Sequence, residues 1–135
     1  CVVNVSSMGG FVPVPGQTIY GASKAAVKLF TEGLYAEMRG TGVAVTVVFP
    51  GGVATDITTN SGIAMPAGAE AAASEENSFP TTTPQEAAEQ IIAGVDQGSY
   101  RVVIGKDARM MDKFSRLAPQ RATDTIAKKM AALLG

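Results

Sequence analysis

Residues 43–52 read Val-Ala-Val-Thr-Val-Val-Phe-Pro-Gly-Gly, and this stretch decides the fold. A short apolar run rich in β-branched residues is typical of a strand that is buried on both faces, as the strands of parallel sheets are. Pro50 and the two glycines after it end the strand abruptly. Because parallel strands are joined by crossover segments, we expect helices on both sides of this strand.

Before this strand, the sequence pattern changes twice. Cys1–Val5 contains three Val among five residues, which predicts another strand buried on both faces. Residues 17–39 have the period of an amphipathic helix, which Gly40 and Gly42 end. The apolar stripe of this helix consists of Ala22, Ala25, Ala26, Leu29, Phe30, Gly33 and Leu34.

After the strand, residues 57–82 form a long irregular segment, of a kind that is uncommon outside lids and disordered regions. Thr83-Pro84-Gln85-Glu86 then predicts a helix start, with Thr as the N-cap and Glu three residues later. The inward positions of that helix are Ala87, Ala88, Ile91, Ile92 and Val95. Tyr100–Ile104 predicts a third strand, and we expect two further helices near 107–117 and 119–134. This order predicts one α/β domain with a parallel sheet and right-handed crossovers.

The composition limits which chemistry the chain can perform. The chain has 135 residues, a formal net charge of −1 and no His. The lack of His excludes a Ser-His-Asp triad and a His-based metal site, and the single Cys1 cannot form an internal disulfide. A near-neutral charge argues against nucleic acid as the main partner, and no apolar run approaches the roughly 18 residues of a membrane span. We therefore expect a soluble, cytoplasmic protein without a metal site.

The predicted topology brings a group of polar residues to one edge of the sheet. All strands of a parallel sheet point the same way, and ligands bind at their carboxyl ends. Ser7 follows the first strand, Thr55 follows the second, and the helix between them begins at the same edge. Tyr20 and Lys24 lie in the first turns of that helix and, four residues apart, share one face. We expect these side chains and the irregular 57–82 segment to form one site.

The chemistry of this group is proton transfer to or from an oxygen atom. A free tyrosine phenol has a pKa of about 10. An ammonium about 5 Å away, at an effective dielectric of about 20, favours the phenolate by roughly 3 kcal/mol, or about two pKa units. Tyr20 beside Lys24 is therefore suited to general acid–base catalysis, and the Ser7 hydroxyl can hold the substrate oxygen.

Each of these residues also has a purely structural interpretation. A Tyr-x-x-x-Lys pair occurs by chance in roughly one chain in five of this length, and serines at the end of a strand often bond the backbone. We assign structural roles to Asn4, Ser23 and Thr31, and a solvated face to Lys28, Glu32 and Arg39. The occurrence of all the motifs in one order and at one edge is what favours a catalytic site.

Three motifs in this order resemble the short-chain dehydrogenase/reductase family. They are Asn4-Val5-Ser6-Ser7, Tyr20-Gly21-Ala22-Ser23-Lys24-Ala25-Ala26-Val27 and Pro50-Gly51-Gly52-Val53-Ala54-Thr55. The family's active-site serine precedes its tyrosine by a similar interval, and Ser7 lies 13 positions before Tyr20, which selects Ser7 over Ser6. The resemblance covers residues 1–60 by motif and 84–104 by organisation, and it implies a Rossmann-like, doubly wound parallel sheet.

The resemblance implies an oxidoreductase that uses NAD or NADP to interconvert a carbonyl and an alcohol. Tyr20 would be the general acid and base, Lys24 would lower its pKa and hold the ribose hydroxyls of the nicotinamide, and Ser7 would orient the substrate. The residues at the nicotinamide would be Pro50, Gly51, Val53 and Thr55. The substrate site would include Ser7, Met8, Gly9 and Met65. Family members are commonly homodimers or homotetramers.

The irregular segment gives a clue to the substrate. Its apolar residues are Ile57, Ile63, Ala64, Met65 and Phe79. A lid of this composition favours a hydrophobic ketone, aldehyde or alcohol over a phosphorylated sugar.

The sequence departs from the family in the features that bind the cofactor phosphates. It contains no glycine-rich phosphate loop after a first strand, no residue that selects NAD or NADP, and no catalytic Asn on an earlier helix. We therefore expect residues 1–135 to be the C-terminal part of a single dinucleotide-binding domain, inactive alone, whose N-terminal half lies outside the chain. Function is accordingly assigned to the parent polypeptide.

Two other classes of function are compatible with the sequence. In a hydrolase, Ser7 would be a nucleophile activated by Lys24, but the sequence shows no evident oxyanion loop and Tyr20 would have no role. In a non-catalytic binding or assembly module, the fold would be kept without turnover. Labelling of Ser7 by a fluorophosphonate would favour the hydrolase, and failure of the intact polypeptide to bind any nicotinamide cofactor would favour the module.

Overall fold

The computed structural model describes residues 1–55 and 81–134, and these form an α/β fold. The strands are β1 (Val2–Val5), β2 (Val45–Pro50) and β3 (Arg101–Ile104). The helices are α1 (Thr18–Glu37), α2 (Pro84–Asp96), α3 (Lys106–Leu117) and α4 (Pro119–Leu134), with a short 3₁₀ helix at Met8–Gly10. The elements predicted in these parts of the chain are present, with ends displaced by a residue or two.

The sheet is parallel, as predicted, and its strand order is β1-β2-β3. The central strand β2 is buried from Val45 to Phe49. β1 pairs only with β2 among the described residues, and Val5 at its end is 47% exposed. The prediction that β1 is buried on both faces is therefore wrong for the described residues, because the strand lies at an edge of the sheet.

Helix α1 has the predicted period but a different inward face. Its buried residue is Thr31, whose hydroxyl donates to the carbonyl of Val27 at 2.6 Å and accepts from the amide of Asn4 at 3.1 Å. Leu29 and Phe30 are 70% and 66% exposed. Exposed residues of the predicted stripe also include Ala22, Ala26 and Gly33. The predicted face is wrong because β1 presents the polar Asn4 to the helix, and Thr31 is the residue that satisfies it.

The Asn4–Thr31 contact predicts a measurable loss of stability. Thr31→Val in the full-length polypeptide should lower the free energy of unfolding by about 1 to 2 kcal/mol, because the half-buried Asn4 amide loses its acceptor at the buried Thr31. Thr41→Val is the matched control, since Thr41 is exposed and its loss should cost less than about 0.5 kcal/mol. Urea unfolding of both variants measures the difference. Equal losses would show that the Asn4 contact does not stabilise the fold.

Lys28 and Glu32 face the interior, not solvent. Their side chains form an ion pair at 2.8 Å and are 28% and 22% exposed. The Glu32 carboxylate also lies 3.9 Å from the guanidinium of Arg101 on β3. The predicted solvated face is therefore wrong for these two residues, because the half-buried cation of Arg101 attracts the carboxylate of Glu32. Arg39 is exposed, in keeping with the prediction.

Helix α2 begins at the predicted capping box. Thr83 Oγ1 accepts from the Glu86 N–H at 3.2 Å, and the Glu86 carboxylate accepts from the Thr83 N–H at 3.0 Å. The Thr83 N–H and the Thr83 hydroxyl both donate to the Glu86 carboxylate, and these two hydrogen bonds lower the pKa of Glu86. Fewer residues of α2 face the core than the sequence predicts. Ala87 is buried, whereas Ala88 and Ile92 are exposed, because the buried Gly94 packs directly against Val102 of β3.

The C-terminal helices α3 and α4 pack on the loop that follows β1. A core of buried residues joins them to this loop, consisting of Val12, Met111, Ala122 and Ile126. No helix in the described ranges is long and apolar enough to cross a bilayer. Within residues 1–55 and 81–134, no cluster of acidic, Cys or His side chains is placed to hold a metal ion.

Candidate active site

Two adjacent serines follow β1 and have different surroundings. Ser6 is buried, and its hydroxyl donates to the backbone carbonyl of Lys24 at 2.7 Å. Ser7 is half-buried and caps the 3₁₀ helix, since its hydroxyl accepts from the Gly9 N–H at 3.1 Å. Ser6 thus anchors α1 to the end of β1, whereas the Ser7 hydroxyl keeps a proton that it can donate to a ligand.

Glycines allow the 3₁₀ helix to approach α1 closely. A Cβ on Gly10 would lie 2.7 Å from the Ser6 hydroxyl oxygen and 3.0 Å from the backbone carbonyl of Lys24. A Cβ on Gly9 would lie 3.3 Å from Cε1 of Tyr20 and 3.6 Å from the Ser7 hydroxyl oxygen. The Tyr20 ring and the Ser7 hydroxyl therefore flank the same glycine.

Tyr20 and Lys24 lie on consecutive turns of α1 at this edge. Tyr20 is 46% exposed, and the ammonium of Lys24 lies 5.8 Å from the centroid of its ring. The Lys24 ammonium also donates to the carbonyl of Val5 at 3.3 Å, which holds it at the end of β1. The structure therefore brings together a hydroxyl (Ser7), an accessible phenol and an ammonium, and such a set can bind an oxygen atom and exchange a proton with it.

The turn at Pro50–Gly52 lies beside this group. Val5 of β1 is in register with Val48 of β2, so the residues that follow the two strands emerge side by side. The Gly51 N–H donates to the carbonyl of Ile104 at 2.9 Å, which ties the turn to the end of β3. The three strands thus present their carboxyl ends at one edge, as predicted.

Beyond the turn, the chain is held by Thr82. Thr82 donates its N–H to the Gly52 carbonyl at 2.8 Å and accepts from the Ala54 N–H at 3.0 Å, forming a parallel bridge with Val53. Thr55 follows and is exposed. Met65 and the other apolar residues of the predicted lid between 57 and 80 lie outside the described residues.

Two further residues, Met8 and Asp107, also lie at this edge of the sheet. Met8 is half-buried and packs against the core of α3 and α4, so its substrate role stays a prediction. Asp107 was not predicted. It is buried in the first turn of α3, and its Oδ2 accepts from the Gly52 N–H at 2.8 Å. The rule that selected residues at the ends of β1 and β2 also applies to β3, and this signal could have found Asp107.

A cleft of about 530 Å³ lies elsewhere, between α1, β3 and α3. Its walls include the ion-paired side chains of Lys28, Glu32, Arg101 and Asp112. Because these charges are paired with one another, we assign the cleft a structural role in joining α3 to the sheet.

The chain is similar in sequence to several oxidoreductases. Residues 1–65 match the short chain dehydrogenase family. A Mycobacterium tuberculosis protein named as the oxidoreductase SadH is 38% identical over 119 residues, covering 86% of this chain and 43% of SadH. Sulfoacetaldehyde reductase 2 of Chromohalobacter salexigens is 49% identical over 57 residues, covering 42% of this chain and 23% of that enzyme. The chain thus spans less than half the length of these curated relatives.

Comparison with solved structures gives the same family. A short chain dehydrogenase from Burkholderia cenocepacia, solved in complex with NADP, superposes with a TM-score of 0.72 and 26% identity, covering 92% of this chain and 46% of that one. The three-stranded parallel sheet with its helices is therefore part of a Rossmann-like fold. The sequence motifs, the sheet and these relatives place residues 1–65 of the chain in the short-chain dehydrogenase/reductase family.

Proposed function

We propose that residues 1–135 form the nicotinamide end of the active site in a longer, NAD(P)-dependent oxidoreductase that interconverts a carbonyl and an alcohol. One observation carries the proposal. Tyr20, with the Lys24 ammonium 5.8 Å from its ring, lies beside Ser7 at the sheet edge where the Pro50–Gly52 turn emerges. Membership of the family supports the class of reaction.

In the proposed mechanism, three side chains act on the reacting oxygen. The Ser7 hydroxyl donates a hydrogen bond to the substrate oxygen and orients it. In reduction, the Tyr20 phenol gives its proton to the oxygen as negative charge develops there, and in oxidation it takes the proton back. The Lys24 ammonium stabilises the phenolate that Tyr20 becomes. A bound nicotinamide supplies or accepts the two electrons as hydride.

The residues present fit one end of a dinucleotide. Lys24 and Tyr20 offer a cation and a hydroxyl to the ribose hydroxyls of the nicotinamide, and the turn and Val53–Thr55 offer backbone groups at the end of β2. The sequence has no counterpart for the phosphate-binding loop. We therefore propose that residues 1–135 are the C-terminal part of a single dinucleotide-binding domain, completed by the rest of the polypeptide, which also decides between NAD and NADP.

The substrate is proposed to be a hydrophobic carbonyl compound or alcohol. Ser7, Met8, Gly9 and Met65 are the proposed substrate contacts, and the apolar composition of residues 57–79 favours such a substrate. We also propose a homodimer or homotetramer, which the exposed apolar face of α1 around Leu29 and Phe30 supports, because a second subunit can cover that face.

The geometry does not favour the Ser-Lys hydrolase. In that reaction the lysine amine takes the proton of the serine hydroxyl. Here the Lys24 ammonium donates to the Val5 carbonyl, while the Ser7 hydroxyl accepts from Gly9. The arrangement instead leaves the phenol of Tyr20 accessible, which the hydrolase does not use.

Turnover of the full-length polypeptide tests the proposed function. We expect the full-length polypeptide to consume NADH or NADPH when apolar ketones or aldehydes are supplied in a substrate panel. The consumption is measured as the loss of absorbance of the reduced nicotinamide. A heat-inactivated sample is the control for spontaneous oxidation. Binding of neither cofactor would contradict the proposed function and favour a non-catalytic module, and a clear preference for phosphorylated sugars would contradict the proposed substrate class.

A further inference from the structure

Asp107 is a buried carboxylate that the proposed mechanism does not use. It is 9% exposed and lies in the first turn of α3, where the helix dipole favours a negative charge. Its Oδ2 accepts from the N–H of Gly52 at 2.8 Å, across 55 positions of sequence. The contact therefore joins α3 firmly to the turn after β2.

Glycines in the backbone around Asp107 leave room for its carboxylate. A Cβ on Gly51 would overlap both carboxylate oxygens, and a Cβ on Gly105 would overlap Oδ1. Gly105 also has a φ of +93°, a conformation that residues with a side chain rarely adopt. Glycines at the ends of two neighbouring strands thus leave the space that the Asp107 carboxylate fills.

Gly52 is held through both of its backbone polar groups. Its N–H donates to Asp107, and its carbonyl accepts from the Thr82 N–H at 2.8 Å. If the carboxylate were removed, the Gly52 N–H would lose this acceptor and the turn would lose its link to α3. The peptide group between Gly51 and Gly52 could then rotate, because neither residue has a side chain that restricts it. Asp107 therefore helps to set the orientation of the turn, together with the hydrogen bonds to Ile104 and Thr82.

We propose that Asp107 is a positioning residue for the nicotinamide, acting through Gly52. It holds the Pro50–Gly52 turn in the orientation in which the turn contacts the nicotinamide end of the cofactor, and it touches neither cofactor nor substrate itself. The inference rests on the proposed function. The inference has one distinctive consequence. Loss of Asp107 should weaken the binding of the nicotinamide half of the cofactor and leave the binding of the adenine half unchanged, because another part of the polypeptide binds the adenine half.

Two binding constants of the full-length polypeptide test this inference. One is the Kd of NADH or NADPH, whichever the wild type binds, and the other is the Kd of the matching ADP-ribose, which lacks the nicotinamide. Asp107→Ala should raise the Kd of the reduced cofactor about tenfold and the Kd of the ADP-ribose less than about twofold. Asp107→Asn keeps an acceptor for the Gly52 N–H, so both constants should stay within about threefold of the wild type.

Asp112→Asn is the matched control on the same helix. Asp112 pairs with Arg101 and Arg116, away from the turn, so its neutralisation should leave the ratio of the two constants unchanged. If Asp107→Ala fails to fold, Gly105→Ala replaces it, because a Cβ there also overlaps the carboxylate, and Gly105 is not among the residues assigned to the nicotinamide. It should give the same selective loss. Unchanged constants, or a proportional rise in both, would overturn the positioning role. A wild type that binds neither ligand would overturn the proposed function itself, and the inference with it.

Discussion

Tyr20→Phe should lower kcat/KM for carbonyl reduction by the full-length polypeptide about a thousandfold, the range expected for loss of a general acid. The phenol at the sheet edge is the group that the proposed mechanism uses to protonate the substrate oxygen. Phenylalanine keeps the ring that lies beside Gly9 and below the Lys24 ammonium, but it has no proton to give. The Kd of the cofactor should rise no more than about tenfold, since one hydrogen bond to the ribose is lost, and the circular dichroism spectrum should not change. A much larger loss of kcat/KM than of cofactor affinity separates the chemical step from binding and folding.

Tyr35→Phe provides the control for this substitution. Tyr35 lies on the same helix, and its ring packs on Tyr100, with 4.5 Å between the ring centroids, far along the helix from the site. The same loss of a hydroxyl there should leave kcat/KM within about twofold of the wild type. Hydride transfer by the Tyr20 variant at the wild-type rate would show that another group donates the proton.

Arg101→Ala should be the most destabilising substitution of a charged residue in the cleft, lowering the free energy of unfolding by about 2 to 3 kcal/mol. The guanidinium is paired with Asp112 and lies 4.1 Å above the ring of Phe49. Burial lowers the pKa of Arg101, while the charges of Asp112 and Glu32 oppose that effect. Removing the cation leaves two acidic side chains, Asp112 and Glu32, without their shared partner.

Arg116→Ala is the matched control, because Arg116 pairs with the same Asp112 carboxylate but is 58% exposed. An exposed pair of this kind contributes less than about 1 kcal/mol. Denaturant unfolding of the two variants measures the difference. Equal losses for the two arginines would mean that burial and the aromatic ring add nothing to the Arg101 interaction.

The fold was predictable because local patterns and topology agree. The run at 43–49, the Thr83–Glu86 capping box and the glycines after α1 each define an element from its own residues, and the alternation of strands and helices determines the parallel sheet. The same logic predicts the candidate site, since the direction of the strands and the spacing on one helix bring Ser7, Tyr20 and Lys24 to one edge of the sheet.

The errors arose where tertiary partners decide what a local pattern cannot. The apolar stripe of α1 predicted Leu29 and Phe30 inside, but Asn4 on β1 selects Thr31 instead. Glu32 was assigned to solvent because nothing in α1 reveals Arg101, 69 positions later in the sequence. Asp107 was missed because its importance lies in a contact with Gly52, which no spacing within α3 indicates.

A double-mutant cycle between Tyr20 and Lys24 tests the central claim most directly. The measurement is the single-turnover rate of hydride transfer in the full-length polypeptide at saturating cofactor, for Tyr20→Phe, Lys24→Met and the double variant. If the ammonium acts through the phenol, the double variant should be no more than about threefold slower than Tyr20→Phe alone, because groups that act as a unit are strongly non-additive. If instead the two losses multiply, Lys24 acts independently of Tyr20, and the claim that the ammonium acts through the phenol is contradicted.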